Sequence, residues 1–329
     1  MKIAVLGAGN FGLALATLLC DRHHDVSIWV RNPEFQRFMA IHKKHPQRLT
    51  LVTLPASLKS SHILEDVVSG SELIVTAVPM LGLRELLLGL KNKVPSNAII
   101  LGVTKGIEVG THLFPSEILA EILPERASSY AYLSGPSFAE EVALGKMTAV
   151  SLAAPDSKVL QQVSRVFAGS DFYVETLTDV RGLEVCSAIK NIAAIASGVI
   201  HGLGLGANTQ AAFTVLALRE MRVALGALGG DLKTVDAFGG VGDLVLTCYG
   251  QASRNRAIGI QLAQGHFAVQ PSELSAHGEV AEGVHASLSV VERAQKVGLE
   301  LPICEAVKQM LFDGARPYET LQSLFKRGG

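Results

Sequence analysis

The chain has 329 residues, with 29 Lys and Arg against 30 Asp and Glu, a formal net charge of −1 and a mean hydropathy of +0.33. Apolar residues at 48% and charged residues at 18% exclude intrinsic disorder. The near-neutral balance excludes a global field for gripping nucleic acid, while a local patch can still hold a small anion. The length predicts about two domains with ample core.

The high hydropathy raises the question of a membrane. Residues 3–20 are apolar or small except for Asn10 and Thr17. A single preceding lysine and the bulky Leu18-Leu19-Cys20 argue against an export signal there. Residues 183–212 contain Glu184, Lys190, Asn191, His201 and Asn208, which would be costly in lipid, so this segment reads as a buried helix and no membrane span is expected. Cys20, Cys186, Cys248 and Cys304 show no Cys-x-x-Cys spacing, which points to a reducing, cytoplasmic compartment. His42 and His45 have nothing nearby to complete a metal site and read as solvated surface; no metal is expected.

In chain order, β-like runs are predicted over 2–6, 26–30, 72–77, 98–103, 130–134, 149–153 and 171–174. Helical patterns lie between them, including 11–22, 82–90, 116–123, 138–144 and 157–167. This alternation is what a parallel sheet requires. After about residue 178 strand signals vanish and long Ala/Leu/Gly-rich helices take over, at 180–200, 208–228, 253–264, 285–297 and 303–312. The expectation is an α/β Rossmann-like dinucleotide-binding domain over 1–178 and an all-α substrate and dimerisation domain over 179–329.

Gly7-Ala8-Gly9-Asn10-Phe11-Gly12 follows a five-residue strand and opens a helix. In that context G-x-G-x-x-G is a dinucleotide fingerprint: a tight turn, close backbone approach to a pyrophosphate, and close helix–strand packing. The free N–H groups of the helix start then face the phosphates. After the second strand, where an NAD enzyme usually places an acid, stands Trp29-Val30-Arg31-Asn32. A guanidinium can pair with a 2′-phosphate that a carboxylate would repel, so Arg31 points to NADP(H) in preference, with NAD(H) as the alternative; an exposed arginine after a strand is the plainer reading.

A nicotinamide cofactor implies hydride transfer, with substrate near the C-terminal ends of the strands. Lys105 sits at the tip of a predicted strand, and Ser134-Gly135-Pro136-Ser137-Phe138-Ala139 leaves another and starts a helix, a candidate anion-binding terminus. Lys190, beside Asn191 in a near-continuous apolar helix, is costly unless paired or used. Burial would lower its pKa and suit it to general acid–base work, or it serves a structural ion pair with Glu184 or Asp243. Asp243 could cap a helix, hold Lys190 or bind a substrate hydroxyl. Ser253-Arg254-Asn255 suits an anionic group, phosphate or carboxylate alike.

Together these blocks, with Thr104-Lys105-Gly106, Gly202-Leu203-Gly204, Gly242-Asp243-Leu244 through Thr247-Cys248, and Val280-Ala281-Glu282-Gly283, resemble the bacterial NAD(P)-dependent glycerol-3-phosphate dehydrogenases over nearly the whole chain. The resemblance implies reversible reduction of dihydroxyacetone phosphate to sn-glycerol 3-phosphate, a supply for phospholipid synthesis, and a homodimer. It implies Lys190 as the proton acceptor in oxidation. Lys105, Gly135, Ser137, Asn191, Asp243, Thr247, Ser253, Arg254 and Asn255 would touch the small phosphorylated substrate. Asn10, Phe11, Arg31, Lys105, Ala139, Arg254, Val280 and Glu282 would join the glycines on the cofactor. Two positions depart from the family pattern: His201 stands where Asp is usual, and Thr214-Val215-Leu216-Ala217 where Thr-Arg-Gly is common. The competing readings are a related hydroxy-acid dehydrogenase and a nucleotide-sensing protein that keeps the cradle without the chemistry.

Overall fold

A computed structural model of the chain describes residues 1–265 and 281–328. It forms two compact units. The first comprises 1–104 and 116–180, the second 105–115 and 181–329.

The first unit is built on an eight-stranded sheet: β1 Lys2–Leu6, β2 Asp25–Trp29, β3 Lys59–Ser61, β4 Leu73–Thr76, β5 Ile99–Gly102, β6 Tyr130–Ser134, β7 Thr148–Ala153 and β8 Phe172–Leu177. The spatial order is β3-β2-β1-β4-β5-β6-β7-β8. β1 lies between β2 and β4, with Leu6 in register with Trp29 on one side and Thr76 on the other. The chain order therefore reverses at β1, the position where open α/β sheets bind ligands beyond their strand ends. Ile3, Val5, Leu73 and Val75 are wholly buried beneath the helix Asn10–Asp21, whose residues Gly12 to Cys20 are all buried. Each buried leucine of this helix contributes about 1.5–3 kcal/mol, which accounts for the apolar run at 3–20 as core.

The sheet departs from the expected parallel pattern at one step: β7 pairs antiparallel with β6, while β7 and β8 are parallel. The link 135–147 holds only the five-residue helix Ala139–Ala143. At 1.5 Å per residue that helix spans roughly 7 Å, too little to carry the chain back along a strand of about 16 Å. β3 is an addition that the sequence pattern does not show, because Lys-Ser-Ser carries no apolar signal. His45 is also corrected: it is 5% exposed, and its ring Nδ1 accepts from the amides of Gln47 and Arg48, both at 3.1 Å.

The second unit is helical: Val180–Gly202, Gly206–Leu228, Asp243–Tyr249, Arg254–Ala263, Glu282–Lys296, Pro302–Phe312 and Pro317–Gly328. Val180–Gly202 is long and apolar enough to cross a membrane by length and composition, but its apolar window is fully buried within the protein. Small residues let other helices reach it. A Cβ on Gly198 would lie 2.9 Å from the Cα of Gly259, so the helix Arg254–Ala263 crosses at backbone contact. At the two departures from the family pattern, His201 is exposed, and Thr214 shares the Tyr249 hydroxyl with the carbonyl of Gln210. The excursion 105–115 belongs to this unit, where Ile107 and Phe114 are buried in its core.

Candidate functional site

In the first unit β1 ends in a backbone cradle. Gly7 has φ 121°, and a Cβ there would stand 2.5 Å from the carbonyl oxygen of Ala77. Only glycine fits that turn. Around Gly9, by contrast, a Cβ would find nothing within 4 Å, which leaves room for a ligand. Gly9 caps the helix Asn10–Asp21 without a side-chain bond, and its first turn carries no acidic residue. The amide groups are thus unshielded, with the positive end of the helix behind them, as a pyrophosphate requires. The chain fits the group it is expected to hold. Asn10 and Phe11 open the helix beside this space.

Beyond β2, Arg31 is exposed and lines an open depression with Asn32, Pro33, Glu34 and Arg37. Asn32 has a structural task. Its Oδ1 accepts from the amides of Glu34 at 2.8 Å and Phe35 at 3.3 Å, capping the helix Pro33–His42. Arg37 is a second guanidinium on this depression that sequence reasoning missed. Its signal was its place one turn into a helix that starts with proline. At the end of β6, a Cβ on Gly135 would stand 2.7 Å from the Val150 Cα, and the Ser137 hydroxyl donates to the Gly135 carbonyl at 2.9 Å. Ala139 begins a helix of only five residues, so the expected anion-binding terminus is not formed there.

The second unit assembles a buried cluster of charges. The carboxylate of Asp243, 2% exposed, lies between two ammonium groups. Lys105 Nζ donates to Oδ2 at 2.7 Å, and Lys190 Nζ stands 3.1 Å from Oδ1. Lys190, 4% exposed, also donates to the Thr247 hydroxyl at 2.8 Å. That hydroxyl donates in turn to the Asp243 carbonyl at 2.6 Å. The ion pair with Asp243, one of two partners open to Lys190, is therefore present. Asp243 is not an N-cap: Gly242 holds that position, and Asp243 is the first residue of the helix Asp243–Tyr249. An irregular wide turn, Phe238–Gly242, delivers it there.

Burial sets the proton affinities of this cluster. It pushes Lys190 down to about 8, with Asp243 pulling the value up and Lys105 pushing it down. Burial pushes Asp243 up, but its two lysine partners outweigh that and hold it below the ordinary carboxylate value. Lys190 is thus an ammonium that can lose its proton near neutral pH, held by an aspartate that stays charged.

An amide network adjoins it. Asn255 donates to Asn191 Oδ1 at 3.0 Å and accepts from the Gly283 amide at 3.0 Å. Asn191 reaches Glu282 at 3.5 Å. Burial raises the Glu282 carboxyl, against the pull of Arg254, Lys105 and Lys190. Ser253 caps the helix Arg254–Ala263 by accepting from the Arg256 amide at 3.2 Å, and Arg254 stands exposed at its first position. Val280 lies outside the described residues. The structure therefore brings Lys105, Lys190, Asp243 and Thr247 into one bonded cluster and Asn191, Asn255 and Glu282 into a second beside it, with Lys105 and Glu282 partly exposed. The Lys105–Asp243 bond was not foreseen.

The family model described as NAD-dependent glycerol-3-phosphate dehydrogenase N-terminus matches residues 2–160, and its C-terminus counterpart matches 179–322. The chain is 40% identical over 328 residues to glycerol-3-phosphate dehydrogenase (NAD(P)+) of Pelodictyon phaeoclathratiforme, covering 99% of this chain and 98% of that one. It is 38% identical to the Leptospira biflexa enzyme of the same name over 328 residues, with the same shares covered. The crystal structure of glycerol-3-phosphate dehydrogenase from Coxiella burnetii superposes with a TM-score of 0.90 at 33% identity, covering 98% of each chain. A fingerprint at the end of β1, a helical second unit and matches to both halves of one family agree: the chain belongs to the NAD-dependent glycerol-3-phosphate dehydrogenase family.

Proposed function

We propose that this NAD(P)-dependent oxidoreductase interconverts sn-glycerol 3-phosphate and dihydroxyacetone phosphate, with Lys190 as general acid and base. The observation that carries the proposal is a buried lysine, with its pKa lowered to about 8, bonded to Asp243 and Thr247. The first unit holds the dinucleotide through Gly7, Gly9, Asn10, Phe11 and Gly12. The second supplies the substrate-binding side chains. When bound, the nicotinamide supplies or accepts the hydride.

The chain's own residues manage the proton and the phosphate. In reduction the Lys190 ammonium gives its proton to the carbonyl oxygen as that oxygen gains negative charge. In oxidation the neutral amine takes the proton of the substrate hydroxyl. Asp243 fixes the lysine in place, and Thr247 accepts one of its hydrogens, so the remaining donor capacity is oriented. Lys105 and Asn191 add donors to the substrate oxygens. Arg254 offers a planar fork to the phosphate beside Asn255. The family resemblance assigns the remaining ligand contacts to Gly135, Ser137, Ala139, Lys105, Arg254, Val280 and Glu282.

Arg31 favours NADP(H) over NAD(H) through a 2′-phosphate. The product serves as the backbone for phospholipid synthesis. The protein acts as a cytoplasmic homodimer, a reading supported by its four buried cysteines outside any disulfide and by Val215 and Val223 exposed on the helix Gly206–Leu228. Following NADPH loss with dihydroxyacetone phosphate and, separately, with 2-keto acids tests the reading. Turnover confined to the phosphate supports it, and turnover confined to the keto acids overturns it.

A further inference from the structure

The excursion 105–115 carries Lys105 at its start, and its other end is gripped by two arginines. Phe114 is wholly buried with the guanidinium of Arg181 over its ring at 4.7 Å from the centroid and that of Arg293 at the same distance. Arg293 also donates to the His112 carbonyl at 2.6 Å. Within the excursion the Glu108 amide bonds the Leu113 carbonyl at 2.9 Å, and the His112 amide bonds the Glu108 carbonyl at 3.0 Å. Those bonds close the tip into a rigid turn. Ile107, 1% exposed, pins the segment next to Lys105. A pull at Phe114 is therefore transmitted across a short, internally bonded loop to Lys105.

Arg293 lies in the last turn of the helix Glu282–Lys296, and the first residue of that helix reaches Asn191. One rigid helix thus ties the excursion to the amide network beside Lys190. A guanidinium stacked on a buried ring adds electrostatic attraction to the packing of its stem.

We propose that Arg293 is a positioning residue for the reaction: by stacking on Phe114 and holding the His112 carbonyl, it keeps Lys105 on Asp243. This rests on the reading of Lys190 as the proton-transferring group. Lys105 shares Asp243 with Lys190 and adds a like charge nearby, and both effects ease loss of the Lys190 proton. Release of the excursion hands Asp243 to Lys190 alone and raises the pH at which Lys190 becomes neutral.

The test is a double-mutant cycle of Arg293→Met, Lys105→Met and the pair, read by the pH dependence of kcat for glycerol 3-phosphate oxidation. The expected result is that Arg293→Met moves the rising limb to higher pH by about half a unit to one unit. The pair behaves as Lys105→Met alone. Additive losses, or a lowered melting temperature with an unmoved limb, would assign Arg293 to stability only and overturn the inference. Arg293→Lys, which keeps a cation over the ring, supplies the same readout where the methionine variant does not fold; it should show a smaller shift in the same direction, and an unmoved limb there overturns the inference equally. A wild-type profile with no rising limb sinks the Lys190 reading itself and this inference with it, whereas a normal wild-type limb that Arg293→Met leaves in place sinks the inference alone.

Discussion

The cradle in the first unit is made of backbone, and the charged cluster in the second is made of side chains. At the cradle the chain contributes what is missing: no Cβ at Gly7, open space at Gly9, and no cap or acid at the start of the helix. At the cluster it contributes what is costly: a lysine and an aspartate with almost no access to water, and a second lysine partly exposed beside them. A backbone site fails when bulk is added, and its loss shows in affinity. A side-chain site fails when atoms are removed, and its loss shows in turnover.

The largest effect that would break this division is at Lys190. Lys190→Ala should lower kcat by at least about 10²-fold, the usual size of a general acid–base contribution. A fluorescence titration should find NADPH affinity near normal. A protein that merely sensed nucleotide would show no loss in any activity assigned to it. Next comes Gly7→Ala. A backbone at φ 121° suits only glycine, and an added Cβ would stand 2.5 Å from the Ala77 carbonyl oxygen, so the cradle must shift. The cofactor Kd should rise by about tenfold or more, each tenfold being about 1.4 kcal/mol, while the pH dependence of kcat at saturation stays as in the wild type.

Arg31→Asp should move the ratio of kcat/KM for NADPH and NADH toward NADH, through repulsion of the 2′-phosphate. An unchanged ratio would remove Arg31 as the discriminator and leave Arg37, on the same depression, as the cation to test. The smallest catalytic effect is expected at Glu220, a buried carboxylate with no place in the cluster. It accepts from the amides of Ile303 at 2.6 Å and Cys304 at 2.9 Å, capping the helix Pro302–Phe312. Burial pushes it up to about 7. Because its folded value lies above the unfolded one, the folded state holds a proton that the unfolded chain has lost across that window. Its stabilising contribution is therefore complete below the ordinary carboxylate value and falls as pH rises through about 7. Urea midpoints at pH 5 and pH 8 should differ less in Glu220→Gln than in the wild type, with kcat unaffected in both.

The two regions also differ in how far their sequence announces them. The glycine fingerprint is local, so six consecutive residues and the strand before them suffice. Lys190 is legible from its cost, an ammonium inside an apolar helix. Its bond to Asp243 was one of two open choices, because a pairing across 53 positions leaves no periodic trace. The Lys105–Asp243 bond left none at all: nothing in the local pattern of 105–115 tells that this stretch packs with the helical unit, although Ile107 and Phe114 are the apolar residues that take it there. β3 was hidden for the opposite reason, since an edge strand of Lys-Ser-Ser has no core face to mark it. The reversed direction of β7 depends on how short its preceding helix is, and helix ends are where sequence patterns are least sharp.

The central claim is that Lys190 moves the substrate proton, and the pH dependence of kcat in both directions tests it most directly. Oxidation of glycerol 3-phosphate needs the neutral amine, so its kcat should rise with pH through about 8; reduction of dihydroxyacetone phosphate needs the ammonium, so its kcat should fall through the same value. Profiles that run in the same direction, or that show no inflection near that value, would contradict the account.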